Sequence, residues 1–198
     1  MGRNVYFSFH YQDVVDFRAN VVRNSWKFRQ KGNSFRDESI WEEAKEKEVN
    51  KIKSLIQSEL FGSSVTCVLI GSETYSRRWV RYEIMKSFES NKGMLGVGIN
   101  WIKDKHQQTK FWPGENPFDY LGLEVSDDGK TIKLFEVKDG KWVKYRDLPV
   151  IKNRHFKERY YGKEMTLSDL YKRYSYNWNN GPANLTNWIE QAAKDAGR

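Results

Sequence analysis

Arg77, Arg78, Trp79 and Glu83 are the residues whose types and spacing could do chemistry. They follow an apolar run, Val65-Thr66-Cys67-Val68-Leu69-Ile70, that Gly71 ends. The two arginines fall in the first turn of a helix, where the macrodipole disfavours cations by about 0.3–1 kcal/mol each. Trp79 and Glu83 lie four residues apart, so they project side by side toward one edge of whatever the helix covers. Local choices that break folding rules are expected where function demands them. One reading is a strand-to-helix turn that holds a phosphorylated ligand, with a carboxylate aimed at it. The plainer reading is a solvated glutamate and two surface arginines.

The elements that must position these groups can be read from patterning. The run 65–70 is β-branched and too short for a buried helix, so it reads as a central parallel strand covered on both faces. Ser76 can cap the helix that follows, whose stripe of Val80, Ile84 and Phe88 faces a sheet. Residues 4–9 read as the first strand and 10–13 as a turn. Asp13 or Asp16 opens a helix with Val14, Phe17, Val21 and Val22 on one face, ending near residues 26–28. Residues 34–36 read as a short second strand. A mixed-charge helix from Trp41 buries Val49, Ile52, Ile56 and Leu60, and Gly62 closes it. Residues 94–100 form another buried strand.

Strands alternating with helices imply right-handed crossovers and a parallel sheet. In a flavodoxin-like order, the first strand and the strand 65–70 are neighbours, and ligands bind off their carboxyl ends. Those ends are Phe9-His10-Tyr11 and Gly71-Ser72, which brings the cleft to the arginines and Glu83. Residues 102–120 read as a loop. Segments 121–125, 131–137 and 141–145 alternate around Asp128-Gly129 and Asp139-Gly140, a strong hairpin signal. They predict a three-stranded antiparallel meander inserted within residues 102–165. Residues 166–198 form a C-terminal helical part whose final helix buries Leu185, Trp188, Ile189 and Ala192. The expectation is a single α/β domain over 1–198, with core βα units in 1–101.

The 198 residues carry a net charge of +8, which favours anionic partners. The basic residues are spread along the chain, which argues against nucleic acid and toward a phosphate-bearing small molecule. Charged residues make up 30% and the mean hydropathy is −0.83, with no 18-residue apolar stretch and no signal-like N-terminus, so a cytoplasmic protein off the membrane is expected. The single cysteine, Cys67, lies mid-strand and reads as a buried structural thiol. The three histidines lack ligand spacing, so no metal site is expected. There is no phosphate-binding glycine loop, G-x-S-x-G elbow or H-E-x-x-H.

With these residues in view, the chain resembles a known family. Val5-Tyr6-Phe7-Ser8-Phe9-His10 looks like the opening strand of TIR domains. Trp79-Val80-Arg81-Tyr82-Glu83-Ile84 resembles the W-x-x-x-E-[IL] helix that carries the catalytic glutamate of NAD-cleaving TIR domains. VTCVLIGSETYSRRWVRYEI with GMLGVGINW, and the closing NLTNWIEQAAK, resemble more closely still the TIR-like ThsB proteins of the bacterial Thoeris anti-phage system. The resemblance implies that Glu83 is catalytic and that NAD is a substrate, with no cofactor. Nicotinamide leaves as a neutral molecule, so no general acid is needed and one carboxylate can suffice where O-glycosidases normally use two. It further implies a cyclic ADP-ribose isomer as a diffusible signal to a partner NAD-depleting effector. For positioning, the candidates are Ser8, Phe9, His10, Arg36, Asp37, Ser72 and Trp79. Phe9 and Trp79 could stack on a base, and Arg36, Arg77 or Arg78 could meet the diphosphate. The alternatives are a non-enzymatic TIR-type adaptor that self-assembles through residues 36–40, and a basic nucleic-acid-binding module.

Overall fold

The computed structural model describes residues 3–29, 49–154 and 156–198. Four parallel strands form the central sheet. They are β1 (Val5–Ser8), β2 (Val65–Ile70), β3 (Gly93–Gly98) and β9 (Arg173–Ser175), in the order β1-β2-β3-β9. The expected pairing of the first strand with 65–70 holds, with Ser8 opposite Val68. The expected second strand at 34–36 lies outside the described residues. Every residue of β2 and β3 is buried, as a strand covered on both faces requires.

Alternation sorts the side chains of these strands into two cores. Tyr6, Val68, Ile70 and Met94 join helices α3 (Val49–Leu60) and α4 (Arg78–Glu89) on one face. Phe7, Cys67, Leu69 and Val97 join α2 (Arg18–Arg29) and α5 (Gly181–Asp195) on the other. Cys67 is fully enclosed, and burial pushes its thiol well up, so it is the inert thiol its position suggested.

Several expectations are corrected locally. The first helix is two: α1 (Tyr11–Val15) stops at Asp16, and Phe17 turns the chain with a φ of 66° before α2. That kink rotates Phe17 and Val21 into solvent and leaves Ala19, Val22 and Trp26 as the inner face. Val49 is likewise exposed, at the edge of the stripe that Ile52, Ile56 and Leu60 bury. Ser76 does not cap α4. It closes a one-turn 3₁₀ helix (Thr74–Ser76) by donating to the Glu73 carbonyl, and Arg77 takes the N-cap position of α4 without a side-chain capping bond.

The insertion is larger than a three-stranded meander. β4 (Leu121–Val125), β5 (Thr131–Lys138) and β6 (Lys141–Lys144) are joined by β7 (Ile151–Lys152) and β8 (Glu164–Thr166). Asp139 and Gly140 both have positive φ, as the two-residue turn between β5 and β6 demands. Phe118, Leu121, Leu123, Ile132 and Leu134 pack with Ile70, Val80 and Ile84, so the second sheet shares a core with the first. Gly96 makes room for that packing, since a methyl there would press on Ile70 and Phe118. After the insertion the chain returns to the parallel sheet as β9, within the part expected to be helical.

Candidate active site

Alternation along β1 points Tyr6 and Ser8 to the α4 face, and Val5, Phe7 and Phe9 to the opposite one. α4 lies across that first face and turns Glu83 toward the strand. Glu83 is fully buried. The Tyr6 hydroxyl donates to its Oε1 at 2.7 Å, and the Ser8 hydroxyl donates to its Oε2. Burial pushes the Glu83 carboxyl up to about 7, while the Ser8 and Tyr6 hydrogen bonds pull the other way. Burial, with the charge of Glu83, also holds Tyr6 well above its usual range. The helix is itself fixed here. Ser87 donates to the Glu83 carbonyl at 2.7 Å, and its hydroxyl lies 2.8 Å from that of Thr66 on β2.

Around the carboxyl ends of the strands, the other candidates take separate places. His10 occupies the N-cap position of α1 without a side-chain capping bond, and burial, then the charges of Arg77 and Lys110, lower its imidazole to about 4. It is neutral at pH 7. The Ser72 hydroxyl accepts from the Asn100 amide at 3.1 Å, and that amide also donates to the Trp112 carbonyl at 2.6 Å. Asn100 is fully buried at the end of β3, so it ties the turn after β2 to the loop that crosses above it. Gly114 presses so closely on the Gly71 carbonyl that only glycine fits. Arg18, also buried, anchors the same loop through the carbonyls of Ile102 (3.0 Å) and Gln108 (3.0 Å). Phe111 and Trp112 stand exposed on that loop.

Ser8 and Glu83 are therefore brought into contact, with His10 and Ser72 at the adjoining strand ends. Phe9 lies across the sheet from Glu83, packed in the opposite core with the Arg23 guanidinium 5.1 Å from its ring centre. Trp79 sits one turn before Glu83 on α4, edge-on to Tyr82 and beneath the Arg78 guanidinium at 4.8 Å. Arg78 reaches Asp147 of the insertion at 3.0 Å, and Arg77 pairs with Glu73. These acids answer the misplaced charge that the first-turn arginines posed. Arg36 and Asp37 lie outside the described residues, as does the 36–40 loop. Tyr6 was missed. It precedes Ser8 by two on a strand, so the period of two puts both side chains on one face and was signal enough to place it beside Ser8.

The comparisons with known proteins meet this geometry. A family model described as the TIR-like domain of the Thoeris protein ThsB matches residues 6–104, from Tyr6 through the first three strands of the parallel sheet. A protein of Bacillus cereus (strain MSX-D12), named "Putative cyclic ADP-D-ribose synthase ThsB1", is 47% identical over 192 residues. That match spans 96% of this chain and all of the relative. Since the likeness runs through the site and far beyond it, into the inserted sheet and the last helix, the chain belongs to the ThsB family of TIR-like Thoeris proteins.

Proposed function

We propose that this protein cleaves NAD at the nicotinamide–ribose bond and closes the remaining ADP-ribose on itself, releasing a cyclic isomer as an anti-phage signal. The reading rests above all on one observation: a buried carboxylate, Glu83, held by two hydroxyls of β1, toward the carboxyl end of a parallel sheet, where ligands of such folds generally bind. The near-full-length relative named for cyclic ADP-D-ribose synthesis supports the choice of product.

The chemistry asks little of the protein beyond placement. The bond between nicotinamide and C1 of its ribose breaks with both electrons going to the pyridinium nitrogen, so nicotinamide departs neutral. Positive charge develops on the ribose, and Glu83 offsets it electrostatically while accepting from the ribose hydroxyls. Those hydroxyls exchange with Tyr6 and Ser8 for the same two oxygens. An atom of the same molecule then bonds to C1 and gives up a proton to solvent. Water would capture the cation first in an open site, so ring closure needs a folded substrate and an enclosed one. The loop held by Asn100 and Arg18 over the strand ends suits that enclosure.

Ser72, His10 and Trp79 are proposed to line the substrate's path, and the isomer is proposed to reach a separate effector protein by diffusion through the cytoplasm. Among the described residues no helix is long and apolar enough to cross a membrane. The test is chromatography of NAD incubated with the purified protein, beside Glu83→Gln. Nicotinamide and a cyclic product from the wild type alone support the reading. Equal turnover by both proteins, or none from either even in lysate of phage-infected cells, overturns it.

A further inference from the structure

At the opposite end of the sheet from Glu83, a cavity of about 210 Å³ opens between the parallel core and the insertion. Its floor is Phe88 of α4, Met94 of β3 and Ala192 of α5, all buried. Its walls are aromatic: Tyr174 and Trp188 stack face to face at 4.3 Å and 3°, and Phe156 stands 6.3 Å from Phe88. Lys92, 6% exposed, is part of the lining, and its ammonium donates to the Ser63 carbonyl at 2.6 Å. Among the described residues no carboxylate pairs with it; burial and, after it, the charge of the Arg198 guanidinium act against its proton. Lys172 adds an exposed cation to the lining, and Asp195 an exposed carboxylate.

We infer that this cavity is a binding site for a small fused-ring aromatic molecule bearing one negative charge. Flat aromatic walls favour a flat ligand, which gains ring contacts that an aliphatic one lacks. The volume falls below the range of about 300–1,000 Å³ typical of drug-sized pockets, which limits the occupant to one small ring system. A buried ammonium has three donors, and with one given to Ser63 it can meet an anion with the others. Burial and the neighbouring guanidinium lower Lys92 to about 8, so it is charged at pH 7 and an incoming anion would relieve the crowding of cations. The site stands apart from the proposed NAD chemistry, yet shares a helix with it: Phe88 follows Glu83 by five residues on α4.

The test is calorimetric titration of the full-length protein with 1-naphthoate at pH 7, using the Glu83→Gln protein so that NAD can be added as a competitor without being consumed. The expected result is saturable one-to-one binding, indifferent to NAD, at least tenfold weaker in Lys92→Met and weaker in Lys172→Glu. It also fades as the pH passes 8 and Lys92 loses its charge. Lys172 is exposed, so its variant decides the matter should Lys92→Met fold poorly. Absence of saturable binding to 1 mM naphthoate overturns the inference, as does displacement by NAD or equal binding by both lysine variants.

Discussion

The Tyr6 hydroxyl donates a hydrogen bond of 2.7 Å to Glu83 Oε1 across 77 positions of sequence, joining the first strand to the helix after the second. That bond favours the ionised carboxylate, against a burial that favours the protonated one. At about 7 the two forms of Glu83 are balanced near neutrality. Only the ionised form can offset a ribose cation, so kcat/KM should rise with pH through about 7 and then level. Tyr6→Phe removes one donor from the charged form. A hydrogen bond to a charged group contributes about 1.5–3 kcal/mol, so the rising limb should move up by about one to two pH units. Recovery of activity at pH 9 in Tyr6→Phe would separate this tuning from structural damage. A profile that falls uniformly would count against it.

Glu83→Gln should abolish turnover without unfolding the protein, and its stability should depend on pH in a defined sense. A raised folded-state ionisation means the folded chain holds a proton that the unfolded chain releases. Below about 4.5 both states are protonated and there is no penalty. As the pH climbs from 4.5 to 7 the wild type loses stability, by an amount of order 3 kcal/mol for a shift of this size. Glutamine lacks that loss, and its amide can accept from one hydroxyl and donate to the other. Thermal unfolding at pH 8 should therefore show the variant at or above the wild-type midpoint, with the difference vanishing at pH 4.5. A midpoint well below wild type at pH 8 would assign Glu83 a structural role.

Much of this was legible in the sequence because the controlling signals are local or periodic. The run 65–70, the stripe of Val80, Ile84 and Phe88, and the Asp139-Gly140 turn each carry their own cause. That Glu83 faces the first strand followed from its place on the helix after β2, and its candidacy came from its four-residue spacing to Trp79 and from the family resemblance. What stayed hidden depends on distant partners. Arg78 looked like an unanswered charge because Asp147 lies 69 positions away. Phe9 was a candidate to stack on a base at the first turn, yet successive strand residues face opposite ways and it packs against the other core. β7, β8 and β9 are two or three residues long, too short for any period to show. Phe17 turned the first helix through a left-handed conformation that its residue type gives no hint of.

Gly71 ends β2 against Asp13, whose carboxyl is 1% exposed and raised to about 6, mainly by burial. A methyl group on Gly71 would collide with that carboxylate. Gly71→Ala should thus destabilise the fold by about 1–3 kcal/mol, as overpacking usually does. Asp13→Ala opens the space the methyl needs. The double variant should recover more than half of the loss in a urea titration, a non-additivity that marks direct contact. Strict additivity of the two single changes would show that the strand end strains somewhere else.

Asp147 fastens the insertion to the helix that carries Glu83. Its carboxylate meets Arg78 through two bonds of 3.0 and 3.2 Å, and the Lys53 ammonium of α3 at 2.8 Å. Burial acts upward on this carboxyl, but the hydrogen bonds from Arg78 and Lys53 outweigh it and the net shift is downward. Arg78 is 54% exposed, so solvent screens its share, and the pairing should contribute only about 1 kcal/mol. A lowered carboxyl contributes stability that is present above the unfolded-state value and lost as the pH falls through the folded one. Asp147→Ala should therefore cost about 1 kcal/mol in urea unfolding at pH 7, less in 1 M salt, and almost nothing at pH 2. Because Arg78 also covers Trp79, the same variant should loosen that ring, detectable as faster quenching of tryptophan fluorescence by acrylamide. A gap that persists unchanged at pH 2 would mean that Asp147 acts through its packing and not through its charge.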